Sequence, residues 1–245
     1  MKNSKSIEKP TINILILAAA KNTAKEGQPN TPVCLAEING KSLVERIIDN
    51  VKLITNANFV FTFLETETQH FHLDKVASLL VKDSQSISVP EETRGSACTA
   101  LLAACQLDQS SELLIISANE LVDKDLSIVV EDFRTCGLDA GTLTFRSINP
   151  RYSFVSLGDD GLIKEAAQRK PISAIATAGV FWFARTSDFV DGTKSLIRKG
   201  SSVDGSYFVA SVFNELILKQ KNIGTFPLEL EKYIPLKTEQ QIDKL

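Results

Sequence analysis

The chain has 245 residues, a formal net charge of −3, and 43% hydrophobic and 23% charged residues. That length suits a single α/β domain with a sizeable core, and the composition argues against a disordered or fibrous protein. Slight negative charge without any basic run argues against a nucleic-acid surface.

The longest apolar run, Ile14 to Ala20, is too short to span a bilayer, and the polar start MKNSKSIEKP is no signal peptide. No membrane partner and a cytoplasmic location are expected. One domain over 1–245 is expected, with residues 1–11 as a flexible lead-in. Cys34, Cys98, Cys105 and Cys136 show no C-x-x-C spacing and stand mostly in apolar surroundings. Small buried thiols are therefore expected, not disulfides or zinc ligands.

Ile12 to Ala19 is a continuous apolar, β-branched run, which predicts a central parallel strand covered on both faces. A loop from Ala20 to Cys34 follows, Leu35 to Ile38 returns to the core, and Asn39-Gly40 predicts a tight turn. Ser42-Leu-Val-Glu45 has the spacing of a capping box. Leu43, Val44, Ile47, Ile48, Val51 and Ile54 then recur at helical spacing. Asn58 to Leu64 reads as a second strand, followed by a helix around His70 to Val81. His70 and His72, two apart, cannot share a helix face, and no third ligand stands at metal-site spacing, so solvated or core histidines are expected.

Ile87 to Val89 predicts a short third strand. Pro90 to Gly95 predicts a loop into a helix from Ser96 to about Leu107, whose small residues (Ser96, Ala97, Ala100, Ala103, Ala104) imply close packing against the sheet or a ligand. Glu112 to Ser117 predicts a fully apolar strand ending in a polar turn, Ala118-Asn119-Glu120. Asp123-Lys124-Asp125 then opens a helix that Gly137 terminates. A strand is expected at Asp139 to Phe145, and Asp159-Asp160-Gly161 signals a hairpin between Tyr152–Leu157 and Leu162–Glu165. Ala178 to Ala184 predicts another buried strand. Helices at Ser187–Lys199 and Ser206–Lys219, a strand near Phe226 and a helix from Thr238 complete the chain. Alternating strands and helices in the first half predict a doubly wound parallel sheet, and the hairpin adds antiparallel strands.

Several strings in fixed order carry a resemblance: NGKSLVERII at 39–48, TRGSACTALLA at 93–103, LLIIS at 113–117, RKPIS at 169–173, ATAGVFWF at 176–183 and YFVASVFNEL at 207–216. Together they resemble the sugar-phosphate nucleotidyltransferase family, in the branch encoded among bacterial capsule and surface-polysaccharide genes and often labelled glycosyltransferase. The resemblance implies a Rossmann-like three-layer α/β/α sandwich with a mostly parallel, mixed sheet. It implies transfer of a nucleotide from a nucleoside triphosphate to a sugar 1-phosphate or similar phosphate, with release of pyrophosphate and with Mg²⁺ as cofactor. Such a reaction gathers many negative charges, so it depends on positioning and charge neutralisation.

Carried over residue by residue, the resemblance implies a nucleotide side at Ala18, Ala19, Ala20, Lys21, Asn22, Thr93, Arg94, Gly95, Ser96 and Asn119. It implies an acceptor side at Glu165, Lys170, Thr177 and Gly179, with Lys170 meeting the acceptor's phosphate; Lys21 and Lys25 are the further candidate cations of catalysis, standing in for the positive charge the loop lacks. Asn119, Glu120, Asp123 and Asp204, and more weakly Glu215, are the candidates for holding a metal. The sequence departs from the family's pattern at the phosphate loop. Ala18-Ala19-Ala20-Lys21-Asn22-Thr23 stands where two glycines and an arginine are expected, Pro32-Val33 where Pro-Lys is expected, and Asn119 where an aspartate would bind metal. Each alanine adds a Cβ that crowds the approach of a phosphate.

Three readings follow. The first is a working nucleotidyltransferase with a rebuilt loop. The second is a non-catalytic relative that binds nucleotide or sugar phosphate in a regulatory or scaffold role. The third is a metal-dependent glycosyltransferase using Asp123-x-Asp125. The expected partners are a nucleotide and a sugar phosphate, and homo-oligomer formation is left open.

Overall fold

The computed structural model describes residues 10–20 and 31–236. Residues 1–9 of the lead-in and the C-terminal helix expected from Thr238 lie outside the described residues. β1 (Ile12–Leu17) is buried throughout. Its alternating side chains feed two separate cores, Ile12, Ile14 and Ile16 on one face and Leu15 and Leu17 on the other, as the period-two geometry of a strand requires. The return to the core is made by a turn of 3-10 helix at Val33–Leu35, with Val33 and Cys34 buried. β2 (Glu37–Ile38) and β3 (Lys41–Ser42) then pair about Asn39-Gly40, both at positive φ (52° and 78°), the conformation that suits a two-residue hairpin.

Ser42 starts α1 (Leu43–Val51) with the full capping box. β4 (Ala57–Leu64) lies parallel to β1. The single helix expected over 70–81 is instead α2 (Glu65–Phe71) and α3 (Leu73–Leu80), broken where His72 turns to φ 52°. Both histidines are exposed. β5 (Gln85–Val89) extends the sheet, α4 (Ser96–Ala104) crosses back, and β6 (Glu112–Ser117) lands on the other side of β1. The polar turn after β6 is only Ala118-Asn119, because Glu120 already belongs to a short strand, β7 (Glu120–Val122).

Asp125 caps α5 (Leu126–Thr135) by accepting from the backbone N–H of Ser127, and Gly137 follows the helix at φ 63°. β8 (Ala140–Arg146) precedes the predicted hairpin, formed by β9 (Ser153–Leu157) and β10 (Ile163–Gln168). β11 (Ile175–Phe183) is antiparallel to β6, β8 and β9. α6 (Thr186–Arg198), α7 (Val209–Ile217) and β12 (Ile223–Pro227) follow. β13 (Tyr233–Pro235), for which the sequence offered no signal, pairs with β7.

The main sheet runs β10-β9-β11-β6-β1-β4-β5, with β8 and β12 beyond β11. Apolar faces of α1, α3 and α5 pack on one side of it. α4, α6 and α7 pack on the other, which makes the three-layer sandwich. The small residues of α4 do what was expected: Ala97, Ala100, Ala103 and Ala104 are fully buried against the sheet. Burial of the cysteines holds only in part. Cys34 is buried, which pushes its thiol up to about 12, and Cys98 is half-buried, whereas Cys105 and Cys136 are exposed. All four are free.

Candidate active site

The chain runs from β1 to β4 and β5 on one side of the sheet, then returns through α4 to β6 on the other. The crevice outside the carboxyl ends of β1 and β6 is therefore a topological switch point, the usual ligand position in a doubly wound sheet. Two cavities open there and share a wall made by Ser96, Ser117 and Asn119.

The first cavity, about 430 Å³, lies between the end of β1 (Leu17, Ala19, Ala20) and the loop that enters α4 (Glu91, Glu92, Thr93, Gly95). Gly95 has φ 96°, and a Cβ there would stand 2.4 Å from the carbonyl oxygen of Tyr207. The loop before α7 is thus seated on the start of α4: the N–H of Tyr207 donates to the Arg94 carbonyl (2.8 Å), and the N–H of Ala97 donates to the Tyr207 carbonyl (3.0 Å). Thr93 and Thr99 share a hydroxyl hydrogen bond of 2.7 Å at the cavity wall.

The second cavity, about 290 Å³, is bounded by Glu120, Arg151, Ser153, Gln168, Arg169, Thr177, Gly179 and the first residues of α7. Gly179 sits in the irregular stretch of β11 between Thr177 and Phe181, at φ 65°. A Cβ there would lie 2.0 Å from Oε1 of Glu120, so the absence of a side chain at Gly179 is what gives Glu120 its place. The Tyr233 hydroxyl donates to the other oxygen of Glu120. Burial and that neighbouring carboxylate push the Tyr233 hydroxyl far above its usual range, so it remains a donor. Tyr233 is itself wedged between Phe145 (ring centroids 4.1 Å apart) and Tyr152 (5.8 Å).

Of the residues singled out in the sequence, Ala19, Ala20, Thr93, Gly95, Ser96 and Asn119 line the first cavity, and Glu120, Thr177 and Gly179 the second. Others stand elsewhere. Ala18 belongs to the core. The Arg94 side chain is directed at Gly205 and the Tyr207 ring. Glu165 and Lys170 are exposed and line neither cavity; the cation next to Lys170, Arg169, does so instead, together with Arg151. Lys21, Asn22, Thr23 and Lys25 lie outside the described residues.

Arg151 was missed because it sits in no recognised string, and Arg169 because within RKPIS the role was assigned to its neighbour Lys170. The available signal was the hairpin: Arg151 comes two residues before the start of β9 and Arg169 directly after the end of β10, so antiparallel pairing makes them neighbours. Ser117, Thr99, Glu91 and Glu92 carried no sequence signal of their own.

The donors do not make a preformed Mg²⁺ site. Among the described residues no three His, Cys, Asp or Glu side chains come together. Oδ1 of Asn119 is buried without a hydrogen-bond partner, but it is a neutral amide oxygen, and Mg²⁺ is normally held by one or two carboxylates. Glu120 is engaged by Tyr233, Asp123 by Lys232 (2.7 Å) and Asp204 by Arg169 (2.6 Å). Glu215, on α7, is held by Lys199 and by Ser195 of α6. Asp123 and Asp125 also stand outside both cavities, and Asp125 takes the helix-capping role.

No protein-family model matches the sequence, and no curated protein matches it. Solved structures do resemble the fold. One is the nucleoside-diphosphate-sugar pyrophosphorylase from Vibrio cholerae RC9 (TM-score 0.80, 18% identity, covering 94% of this chain and 98% of that one). Another is the inositol-1-phosphate CTP transferase from T. maritima (TM-score 0.70, 13% identity, 95% and 92%). A third is the CTP:phosphocholine cytidylyltransferase from Streptococcus pneumoniae (TM-score 0.71, 16% identity, 96% and 97%). Together with the mixed sheet and the crevice at its switch point, these likenesses over nearly the whole length of both chains show that this protein has a sugar-phosphate nucleotidyltransferase-like fold.

Proposed function

We propose that the protein binds a nucleoside triphosphate and a sugar 1-phosphate or similar phosphate in the paired cavities and joins them into a nucleotide sugar. The observation that carries this reading is the shared wall of Ser96, Ser117 and Asn119, which puts two ligand-sized cavities in direct contact. The first cavity suits the uncharged nucleoside, because the charged residues it presents, Glu91 and Glu92, are both acidic. The second suits the acceptor, whose phosphate would meet Arg151 and Arg169. An acceptor phosphate oxygen would form a bond to the α-phosphorus at the shared wall while the bond to the β-phosphate oxygen breaks, and pyrophosphate leaves with that electron pair. Holding both reactants in one crevice supplies the positional advantage. The sequence resemblance supports a role for this chemistry in surface-polysaccharide synthesis.

A second reading has a specific observation in its favour. The neutral Asn119, an acidic first cavity and the lack of a carboxylate cluster among the described residues suit a protein that binds these ligands without turning them over. Pyrophosphate release from a panel of nucleoside triphosphates and sugar 1-phosphates, with Mg²⁺ or Mn²⁺, decides between them. Turnover that Arg169→Ala abolishes supports the enzyme. Ligand-induced thermal stabilisation without turnover supports the binder, and neither turnover nor stabilisation refutes both.

A further inference from the structure

The second cavity holds two guanidinium groups, of which only Arg169 is ion-paired among the described residues, and that pair is exposed. Ser153 pairs with Gln168 across the hairpin, and the N–H of Arg169 donates to the Tyr152 carbonyl at 3.0 Å. Arg151 and Arg169 therefore leave neighbouring strand ends and enter one cavity of about 290 Å³. Arg151 makes no ion pair among the described residues. Arg169 is bonded to Asp204 at 2.6 Å, but the two side chains are 54% and 71% exposed, so water screens the pair and a competing anion can reach it. Glu120 is the one carboxylate lining this cavity, and it already accepts from Tyr233. The first turn of α7, where the N–H of Val209 donates to the Ser96 hydroxyl at 3.4 Å, also opens here and adds the positive end of its dipole.

An anion that took Arg169 from the exposed Asp204 would meet two guanidinium groups, which favours an anion here and opposes a bound cation. A phosphate monoester offers two negative charges and three oxygens, enough to take the fork of one guanidinium and reach the second, whereas the Asp204 carboxylate offers one charge to one arginine. We propose that the cavity binds a phosphate monoester on Arg151 and Arg169 without a divalent metal, the phosphate taking Arg169 from Asp204. Asp204 is then an internal competitor: its carboxylate holds Arg169 until a more highly charged ligand arrives. The inference rests on reading this cavity as the acceptor side of the crevice.

The test uses the full chain with glucose 1-phosphate and, separately, inorganic phosphate, by thermal shift and titration calorimetry, in EDTA and in millimolar MgCl₂. Equal binding in the two buffers is expected. Loss of one charged hydrogen-bonding group should weaken binding by about tenfold or more in Arg169→Ala and in Arg151→Ala. Asp204→Asn should bind severalfold more tightly, and because the residue is exposed its melting temperature without ligand should stay close to the parent's. Binding that requires Mg²⁺, or that Asp204→Asn weakens, overturns the proposal. If a nucleoside triphosphate stabilises the protein and neither phosphate compound does, this inference fails while the proposed function stands. If none of them binds, both fail.

Discussion

Glu67 should make the protein less stable as the solution becomes mildly alkaline. It lies on α2 with 6% of its surface exposed, and its Oε2 has no hydrogen-bond partner. Burial, and then the negative charge of Glu91, push its carboxyl from 4.5 up to about 7. The sign follows from linkage: with the folded value raised, the neutral acid fits the fold and the carboxylate does not. The stability this group contributes is thus complete below pH 4.5 and is lost as pH rises through about 7. At about 1.4 kcal/mol per pH unit the whole effect is about 3 kcal/mol, of which roughly 2–3 kcal/mol falls between about pH 5 and pH 8. Glu67→Gln keeps the shape and removes the titration. Urea unfolding at a series of pH values should show the variant gaining on the parent by that amount across the interval, and at about 2–4 °C per kcal/mol its melting temperature should gain several degrees. Parallel pH profiles for variant and parent would refute the argument.

The other predictions separate stability from function. Glu112 starts β6 at the end of the sheet away from the crevice; Arg134 donates to both of its oxygens (2.9 and 2.7 Å), and the Trp182 indole N–H donates to it at 3.2 Å. With only 15% of the Arg134 side chain exposed, Glu112→Ala strands a buried charge and should cost about 3–5 kcal/mol in chemical denaturation, with ligand affinity unchanged in the fraction that stays folded. Gly179→Ala forces a left-handed alanine, at about 1–2 kcal/mol, and drives its Cβ into Glu120. Calorimetry should therefore show affinity in the second cavity falling beyond what the loss of stability explains. Asp125→Ala removes a helix cap, with an expected cost of about 1 kcal/mol in thermal melts. Ligand binding that survives this change rules out the Asp123-x-Asp125 glycosyltransferase reading, and binding that disappears restores it.

The sequence by itself determined the elements whose signals are local. The largely apolar β1 and β6, the capping box of Ser42 and Glu45, the Asn39-Gly40 turn, the cap at Asp125 and the Asp159-Asp160-Gly161 hairpin all form where the residues indicate. Each depends on period, backbone conformation or a hydrogen bond within a few residues, so a short window of chain holds the information. Tertiary structure alone decided the site. The pairing of β13 with β7 brings Tyr233 to Glu120 from 113 residues away, and the loop before α7 settles on Gly95 from across the sequence. The hairpin turns Arg169, and not Lys170, into the cavity. Even the orphaned oxygen of Asn119 cannot be seen in the sequence, because being buried without a partner depends on every chain segment that meets at that point.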